Sequence, residues 1–182
     1  MKLVIASDIH GSAFWCRKLL ELCETEQPDH LILLGDILYH GPRNDLPRDY
    51  APKQVIPMLD AWSEKILCVR GNCEAEVDQM VLTFPVMADY AALLLDGHVL
   101  YATHGHVYGE DNPPPLKRGD ILLCGHTHVP CLRRHEGFTY VNPGSVSIPK
   151  AGSAHSWCML ENGAMTWFDL ETGAPYMEEK LW

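Results

Sequence analysis

The chain has 182 residues and is 47% hydrophobic, enough to bury a β-sheet on both faces, so we expect one domain, residues 1–182. Its formal net charge of −10 has the wrong sign for holding a long nucleic acid through counterion release. Seven cysteines without a CxxC pair argue against a disulfide scaffold and indicate a reducing compartment. The first apolar stretch is too short for a signal peptide or membrane span, so we expect a cytoplasmic protein that does not bind membranes.

The first half of the chain predicts strand–helix–strand units. Three short apolar strands are predicted, over residues 3–7, 30–34 and 66–69. Ser12 is a candidate cap for a first helix that ends near Pro28, and Pro52 is a candidate start for a second helix. The loop over residues 39–49 is rich in turn formers, and loops of this length inside compact domains tend to be functional.

From Gly97 onward the pattern changes to strands with little helix between them. These strands are predicted over residues 98–103, 120–124, 130–135, 138–142, 156–161 and 164–169. Glu136-Gly137 and Asn162-Gly163 are typical of hairpin turns. A first half of βαβ units and a β-rich second half together predict an α/β fold in which two sheets stack and helices lie outside them.

Seven candidate metal ligands follow the apolar runs of the chain. They are Asp8, His10, Asp36, Asn72, His104, His126 and His128. The carboxyl ends of parallel strands share one edge of a sheet, so these residues are expected to converge. One Asp-x-His motif alone is more typical of a solvated turn, but five such placements at the same edge favour a metal site.

The types and number of these ligands indicate which ions they hold and how many. Aspartate together with neutral imidazole suits Mn²⁺, Zn²⁺ or Fe²⁺. Seven ligands exceed one tetrahedral site, and they divide into two sites if Asp36 bridges. Two ions roughly 3.5–4 Å apart clamp both oxygens of an in-line displacement, which is the geometry of phosphoester hydrolysis.

Five motifs occur in a fixed order: Asp8-x-His10, Gly35-Asp36, Gly71-Asn72, His104-Gly105-His106 and Gly125-His126-x-His128. This order resembles the calcineurin-like metallophosphoesterase superfamily over residues 3–150. The segments His40–Asn44, Arg70–Cys73 and Asn142–Ser147 look most similar to its small bacterial YfcE-type phosphodiesterases. The resemblance implies a four-layer α/β/β/α sandwich of two mixed β-sheets flanked by helices, with a dinuclear metal site at the C-terminal ends of the strands.

The resemblance also assigns ligands to ions. It places Asp8, His10, Asp36 and His128 around a first ion, and Asp36, Asn72, His104 and His126 around a second. The implied cofactor is two divalent ions per chain, with Mn²⁺ expected and Fe²⁺, Zn²⁺ or Ni²⁺ as alternatives. It implies a phosphodiesterase that hydrolyses small or activated phosphodiesters, in which a metal-bridging hydroxide attacks phosphorus in line. The family commonly forms homo-oligomers, so a dimer or tetramer is expected.

One position departs from the superfamily pattern. Many members have a histidine after the asparagine, which helps the leaving group depart, whereas this chain has Cys73 after Asn72. A thiol with a reference pKa of about 8.5 is a poor proton donor near neutrality. The sequence therefore predicts faster turnover of activated diesters than of alkyl monoesters.

Loop residues complete the candidate site. Asp36 and Asn72 are expected to be catalytic, Arg43 is expected to contact a phosphate oxygen, and His40 is a candidate both for substrate binding and for catalysis. Arg70 and His106 are weaker candidates.

The alternative functions are a phosphomonoesterase or nuclease of the same superfamily, or a protein-binding scaffold like the retromer subunit that shares this fold.

Overall fold

The protein was analysed as a computed structural model, which describes all residues from Met1 to Trp182. The strands are β1 (Lys2–Ala6), β2 (His30–Leu33), β3 (Ile66–Cys68), β4 (Ala91–Leu95), β5 (His98–Ala102), β6 (Asp120–Leu123), β7 (Cys131–Arg134), β8 (Phe138–Asn142), β9 (Ser156–Glu161), β10 (Ala164–Asp169) and β11 (Pro175–Lys180). The helices are α1 (Ala13–Glu26), α2 (Pro52–Asp60) and α3 (Glu76–Val81). No helix is long and apolar enough to cross a membrane.

The first sheet has the order β11-β10-β9-β1-β2-β3. Its strands β1, β2 and β3 are parallel, and α1 and α2 form the connections between them. Both predicted helix starts are confirmed: the Ser12 hydroxyl accepts a hydrogen bond from the Trp15 amide at 3.3 Å, and Pro52 occupies the first turn of α2. These βαβ units bring the carboxyl ends of three strands to one edge.

The second sheet has the order β4-β5-β6-β8-β7, with β5, β6 and β8 parallel. Both predicted hairpins are present, and Asn162 and Gly163 have φ values of 51° and 76°, as a two-residue turn between β9 and β10 requires. The sequence prediction omitted β4, α3 and β11. Asp96-Gly97, with φ values of 49° and 85°, is the turn signal that identifies the β4–β5 hairpin.

Most of the core lies in two layers, one on each face of the first sheet. Strand β1 shows the reason, because Leu3 and Ile5 point between the two sheets whereas Val4 and Ala6 point toward the helices. The cluster between the sheets contains 14 buried residues, and the cluster beneath the helices contains 22. This packing gives the predicted architecture of two mixed sheets with helices outside.

The outer face of the second sheet is covered differently. Its buried cluster has only three residues, Leu122, Cys124 and Tyr140, and no helix residue belongs to it. The irregular segment over residues 104–119 lies there instead: Leu116 packs on the cluster, and Glu110 pairs with side chains of β7 and its turn. An irregular segment forms here because the β5–β6 connection is too rich in proline and glycine for a helix.

Candidate metal centre

All seven predicted ligands lie at the shared edge where the strands of both sheets end. Backbone hydrogen bonds join the loops that carry them: the His10 amide donates to the Asp36 carbonyl at 2.9 Å, and the Gly125 amide donates to the His104 carbonyl at 2.9 Å. The ligands form two groups. The inner ligands Asp8, His10 and His104 are 0–1% exposed. The outer ligands line an open pocket and are Asp36, Asn72, His126 and His128.

The backbone at the ligands is strained. Ten non-glycine residues of the chain have positive φ, and five of them are proposed ligands, namely Asp8, His10, Asp36, His126 and His128. The left-handed region costs an L-residue about 1–2 kcal/mol, and such strain persists where the surrounding structure imposes it. Neighbouring glycines allow the loops to approach: a Cβ on Gly71 would lie 2.1 Å from Asp36 Oδ1. The strained backbone conformation therefore sets the direction in which these side chains point.

Three imidazoles are fixed by backbone carbonyls. The Nδ1 atoms of His10, His104 and His128 lie 2.6–2.7 Å from the carbonyls of Tyr39, Leu34 and Ile148. A carbonyl only accepts, so each Nδ1 carries the proton, and in a neutral ring Nε2 then has a free lone pair.

The ring nitrogens that do not contact the backbone face one another. His10 Nε2 lies 3.4 Å from His128 Nε2, and His104 Nε2 lies 3.2 Å from His126 Nδ1 and 3.2 Å from the amide oxygen of Asn72. Lone pairs at such distances repel unless a proton or a cation lies between them.

Each carboxylate uses one oxygen for the backbone and turns the other into the cluster. Asp8 Oδ2 accepts from the His126 amide at 3.2 Å, and Asp8 Oδ1 is buried without any hydrogen-bond donor. Asp36 Oδ1 accepts from the Cys73 amide at 2.9 Å. Its Oδ2 lies 3.7 Å from His10 Nε2 and 3.5 Å from His104 Nε2, between the two sets of ligands. This is the position that a bridging carboxylate needs.

The shifts of the pKa values also indicate that positive charge is favoured within the cluster. Burial raises the pKa of Asp8, but the imidazoles of His10 and His128, whose Nε2 atoms lie 3.6 and 3.2 Å from Asp8 Oδ1, outweigh burial and hold that pKa well below its usual value. Burial lowers the pKa of His104, but the carboxylates of Asp36 and Asp8 outweigh it and raise the pKa to about 9. Burial and the charge on His104 lower the pKa of His126. The buried carboxylates therefore favour positive charge within the cluster.

These observations test whether the residues fit a metal centre. Asp8, His10 and His128 have ligand atoms within 4.8 Å of one another, as do Asp8, Asp36 and His104. An orphaned buried carboxylate oxygen and facing lone pairs are satisfied by divalent cations of the type that bind oxygen and nitrogen together. The residues fit.

Cys73 lies beside this centre. Its Sγ is 3.2 Å from Asn72 Nδ2, and it belongs to a third group of possible ligands with His10 and Asp36. Burial and then the charge of Asp36 raise the pKa of the thiol well above its ordinary value. Cys73 is therefore a neutral thiol at physiological pH.

The pocket above the outer ligands has a volume of about 410 Å³. Besides the outer ligands it is lined by Arg43, Asn44, Thr127 and Lys150. The predicted Arg43 is thus brought to the site. His40 does not line the pocket, because its ring packs between Tyr39 and Tyr50, with centroid distances of 4.8 and 5.2 Å. His106 lies beside the centre, with its ring centroid 5.4 Å from that of His104, and Arg70 is outside the lining.

The sequence interpretation missed the residues that hold the ligand loops. The buried carboxylate of Glu74 accepts from the amides of Asp36 (2.9 Å), Ile37 (2.7 Å) and Gly71 (2.5 Å). The hydroxyls of Ser145 and Ser147 donate to the Asp8 carbonyl at 3.0 and 2.9 Å. An acidic residue directly after a ligand loop, and serines after a Pro-Gly turn, are the only sequence signals for these roles.

Comparison with known proteins places this geometry in a family. The sequence model of the Calcineurin-like phosphoesterase superfamily domain matches residues 1–164. The chain is 46% identical over 166 residues to phosphodiesterase YfcE of Escherichia coli K12, covering 91% of this chain and 90% of that protein. It is 23% identical to the probable metallophosphoesterase YsnB of Bacillus subtilis, covering 91% and 88%.

Comparison with solved structures gives the same fold. The structure of YfcE, a phosphoesterase from E. coli, superposes with a TM-score of 0.97 at 43% identity and covers all of both chains. Vacuolar Protein Sorting 29 from Cryptosporidium parvum superposes with a TM-score of 0.63 at 17% identity, covering 98% of this chain and 97% of that one, which shows the shared fold alone. The chain therefore belongs to the calcineurin-like phosphoesterase superfamily.

Proposed function

We propose that the protein is a metal-dependent phosphodiesterase that hydrolyses small or activated phosphodiesters. The observation that carries this proposal is the set of imidazole nitrogens that face one another around a buried carboxylate oxygen without a hydrogen-bond donor. The 46% identity to phosphodiesterase YfcE supports the reaction class. Residues 1–182 would act as one domain, in the cytoplasm and as a homo-oligomer.

Two divalent ions, with Mn²⁺ expected, would be held by the seven ligands. Asp8, His10, Asp36 and His128 would hold the first, and Asp36, Asn72, His104 and His126 the second. The position of Asp36 Oδ2 between His10 and His104 supports a bridging role. Such ions polarise phosphoryl oxygens and lower the pKa of water, which is the chemistry that phosphoester hydrolysis requires.

The side chains of the pocket bind and orient the phosphodiester. Arg43 presents a planar guanidinium that matches two non-bridging phosphate oxygens. Asn72 turns its amide oxygen toward His104 and its Nδ2 toward Cys73, so one side chain spans the ligand set and the thiol. His40 does not reach the pocket lining, which favours Arg43 over His40 for substrate contact.

Cys73 determines which leaving groups depart easily. A thiol whose pKa is raised by burial and by Asp36 holds its proton and is a weak acid at neutral pH. It gives little help to an alkoxide leaving group, whereas a p-nitrophenolate needs none. Activated aryl diesters are therefore the expected fast substrates.

Three alternatives are separated by one experiment. The acidic charge of −10 disfavours a nuclease, and a complete ligand set disfavours a scaffold that acts only through its surface. Protein stripped with EDTA and reloaded with Mn²⁺ would be assayed on bis(p-nitrophenyl) phosphate, p-nitrophenyl phosphate and single-stranded DNA. We expect Mn²⁺-dependent turnover mainly of the diester. Equal or faster turnover of the monoester or DNA, or no turnover at all, contradicts the proposal.

The variant Cys73→His tests the leaving-group argument. An imidazolium in this place is expected to raise turnover of methyl p-nitrophenyl phosphate by less than about threefold and turnover of a dialkyl ester by about tenfold or more. Cys131→His, at a half-buried cysteine of β7, is the matched control. Equal changes for both esters would contradict a role of this position in leaving-group protonation.

A further inference from the structure

The pocket above the metal centre has an unusually polar lining. All eight lining residues are polar or charged, and none is apolar. A pocket built for aromatic or aliphatic leaving groups is normally lined mostly by apolar side chains. This lining suits a substrate that is recognised by charge and hydrogen bonding.

The charges of this lining are cationic. Apart from the proposed ligand Asp36, the pocket contains no carboxylate, although the chain has 24 acidic and 14 basic residues. Arg43 and Lys150 both line it, and neither lies within 4.0 Å of a carboxylate oxygen. A phosphodiester carries one negative charge, so two unpaired cations in addition to the metal centre exceed what the scissile group requires.

The backbone of Lys150 is held in place on the ligand His128. The Lys150 amide donates to the His128 carbonyl at 3.2 Å, and the Ser153 amide and hydroxyl donate to the Lys150 carbonyl at 3.0 and 2.7 Å. Ala151 and Gly152 have φ values of 55° and 72°, which makes a tight turn with an alanine in the left-handed region. This strained turn adjoins the wall of the pocket.

We propose that Lys150 is a specificity-determining residue that binds a second anionic group of the substrate. The substrate class is then a small phosphodiester that carries a further phosphate or carboxylate on the group that stays attached to the scissile phosphate. This inference rests on the proposed phosphodiesterase activity and adds the substrate class. Arg43 contacts the scissile phosphate, and Lys150 contacts the additional charge.

A matched pair of substrates tests this assignment. Thymidine 5′-(p-nitrophenyl phosphate) and its 3′-phosphorylated derivative release the same p-nitrophenolate and differ only in the second anionic group. With Mn²⁺-loaded wild-type protein, we expect KM to be about fivefold lower for the 3′-phosphorylated substrate, the effect of one exposed ion pair of about 1 kcal/mol. Lys150→Gln should reduce this KM ratio to about one. Lys150→Arg should keep it, and so should Lys180→Gln, a matched control on β11.

Binding gives a second readout. Calorimetry should show about fivefold tighter binding of thymidine 3′,5′-bisphosphate than of thymidine 5′-monophosphate to wild-type protein, and no such difference in Lys150→Gln. Raising KCl to about 0.5 M should weaken the preference, because salt screens exposed charges.

The outcomes separate this inference from the proposed function. Turnover of both substrates with equal KM, or a preference that persists in Lys150→Gln, overturns the role of Lys150 and leaves the phosphodiesterase activity standing. Equal binding of the two thymidine phosphates to wild-type protein overturns it as well. If neither diester is hydrolysed, the proposed function fails, and the calorimetric comparison alone then decides whether Lys150 binds a second anion.

Discussion

The inner and outer ligands of the metal centre are built in different ways. Asp8, His10 and His104 are part of the core, since they are 0–1% exposed and do not line the pocket. Asn72 is exposed and His126 is partly exposed, and both line the pocket. The first proposed ion has two inner ligands, whereas the second has one. One edge of the fold therefore holds both candidate ligands that are buried in the core and candidate ligands that are open to a substrate.

The largest expected effect comes from the residue that joins the two groups. Asp36→Asn removes the charge between His10 and His104, so we expect a loss of about 10³-fold in kcat/KM and of at least one of the two ions. Metal content by mass spectrometry and steady-state kinetics measure this. Asp111→Asn, at an exposed loop residue, is the control. Retention of two ions with wild-type turnover would exclude a bridging role.

Substitution of one inner and one outer histidine tests the comparison itself. We expect His10→Ala and His126→Ala each to lower kcat/KM by about 10²-fold, because each removes one ligand. In EDTA-treated protein, His10→Ala should also lower the free energy of unfolding by about 2–3 kcal/mol, since it leaves a cavity and an unpaired Tyr39 carbonyl and takes one neighbouring imidazole from each of two buried carboxylates. His126→Ala should lower it by less than about 1 kcal/mol.

Urea denaturation followed by circular dichroism measures this difference. His98→Ala serves as a control, because its ring packs on Trp182 at a strand start away from the centre. Equal destabilisation by the inner and the outer substitution would remove the distinction between the two groups.

The smallest expected effect is a difference in Mn²⁺ affinity between the two proposed sites. Calorimetric titration of metal-free protein with Mn²⁺ should resolve two classes of site whose Kd values differ by about tenfold or more, because all four proposed ligands of the first ion are buried, whereas Asn72 and His126 of the second are not. In Asn72→Ala only the weaker class should disappear. A single class of site in wild-type protein, or loss of the tighter class in the variant, would reverse the proposed assignment.

The sequence could predict that the seven candidate ligands share one edge because each follows a strand that is recognisable by itself. Apolar runs identify β1, β2, β3, β5 and β6, and parallel strands must end at a shared edge. The hairpin at Asn162-Gly163 was likewise readable from two residues, since their positive φ values need no distant partner. Strand β4 was missed although Asp96-Gly97 marks its turn, because its sequence consists of alanine and leucine, which is equally typical of a helix.

The support of the ligands could not be predicted, because it depends on contacts between distant segments. Glu74 acts on the amides of Asp36 and Ile37, and Ser145 and Ser147 act on the carbonyl of Asp8 from more than 130 positions away. Hydrogen bonds of this kind have no period and no local spacing that a sequence pattern could reveal.

Sequence alone determined the chemical types of the ligands, their order after the strands and the thiol at position 73, because these are properties of residues and of local backbone. Tertiary structure decided which carboxylate oxygen faces the cluster, which ring nitrogen is free and which loop side chains reach the pocket. It directed His40 between two tyrosines and brought Lys150 to the pocket wall. The direction of a side chain is set by packing against segments that are distant in sequence, and only the folded chain contains those contacts.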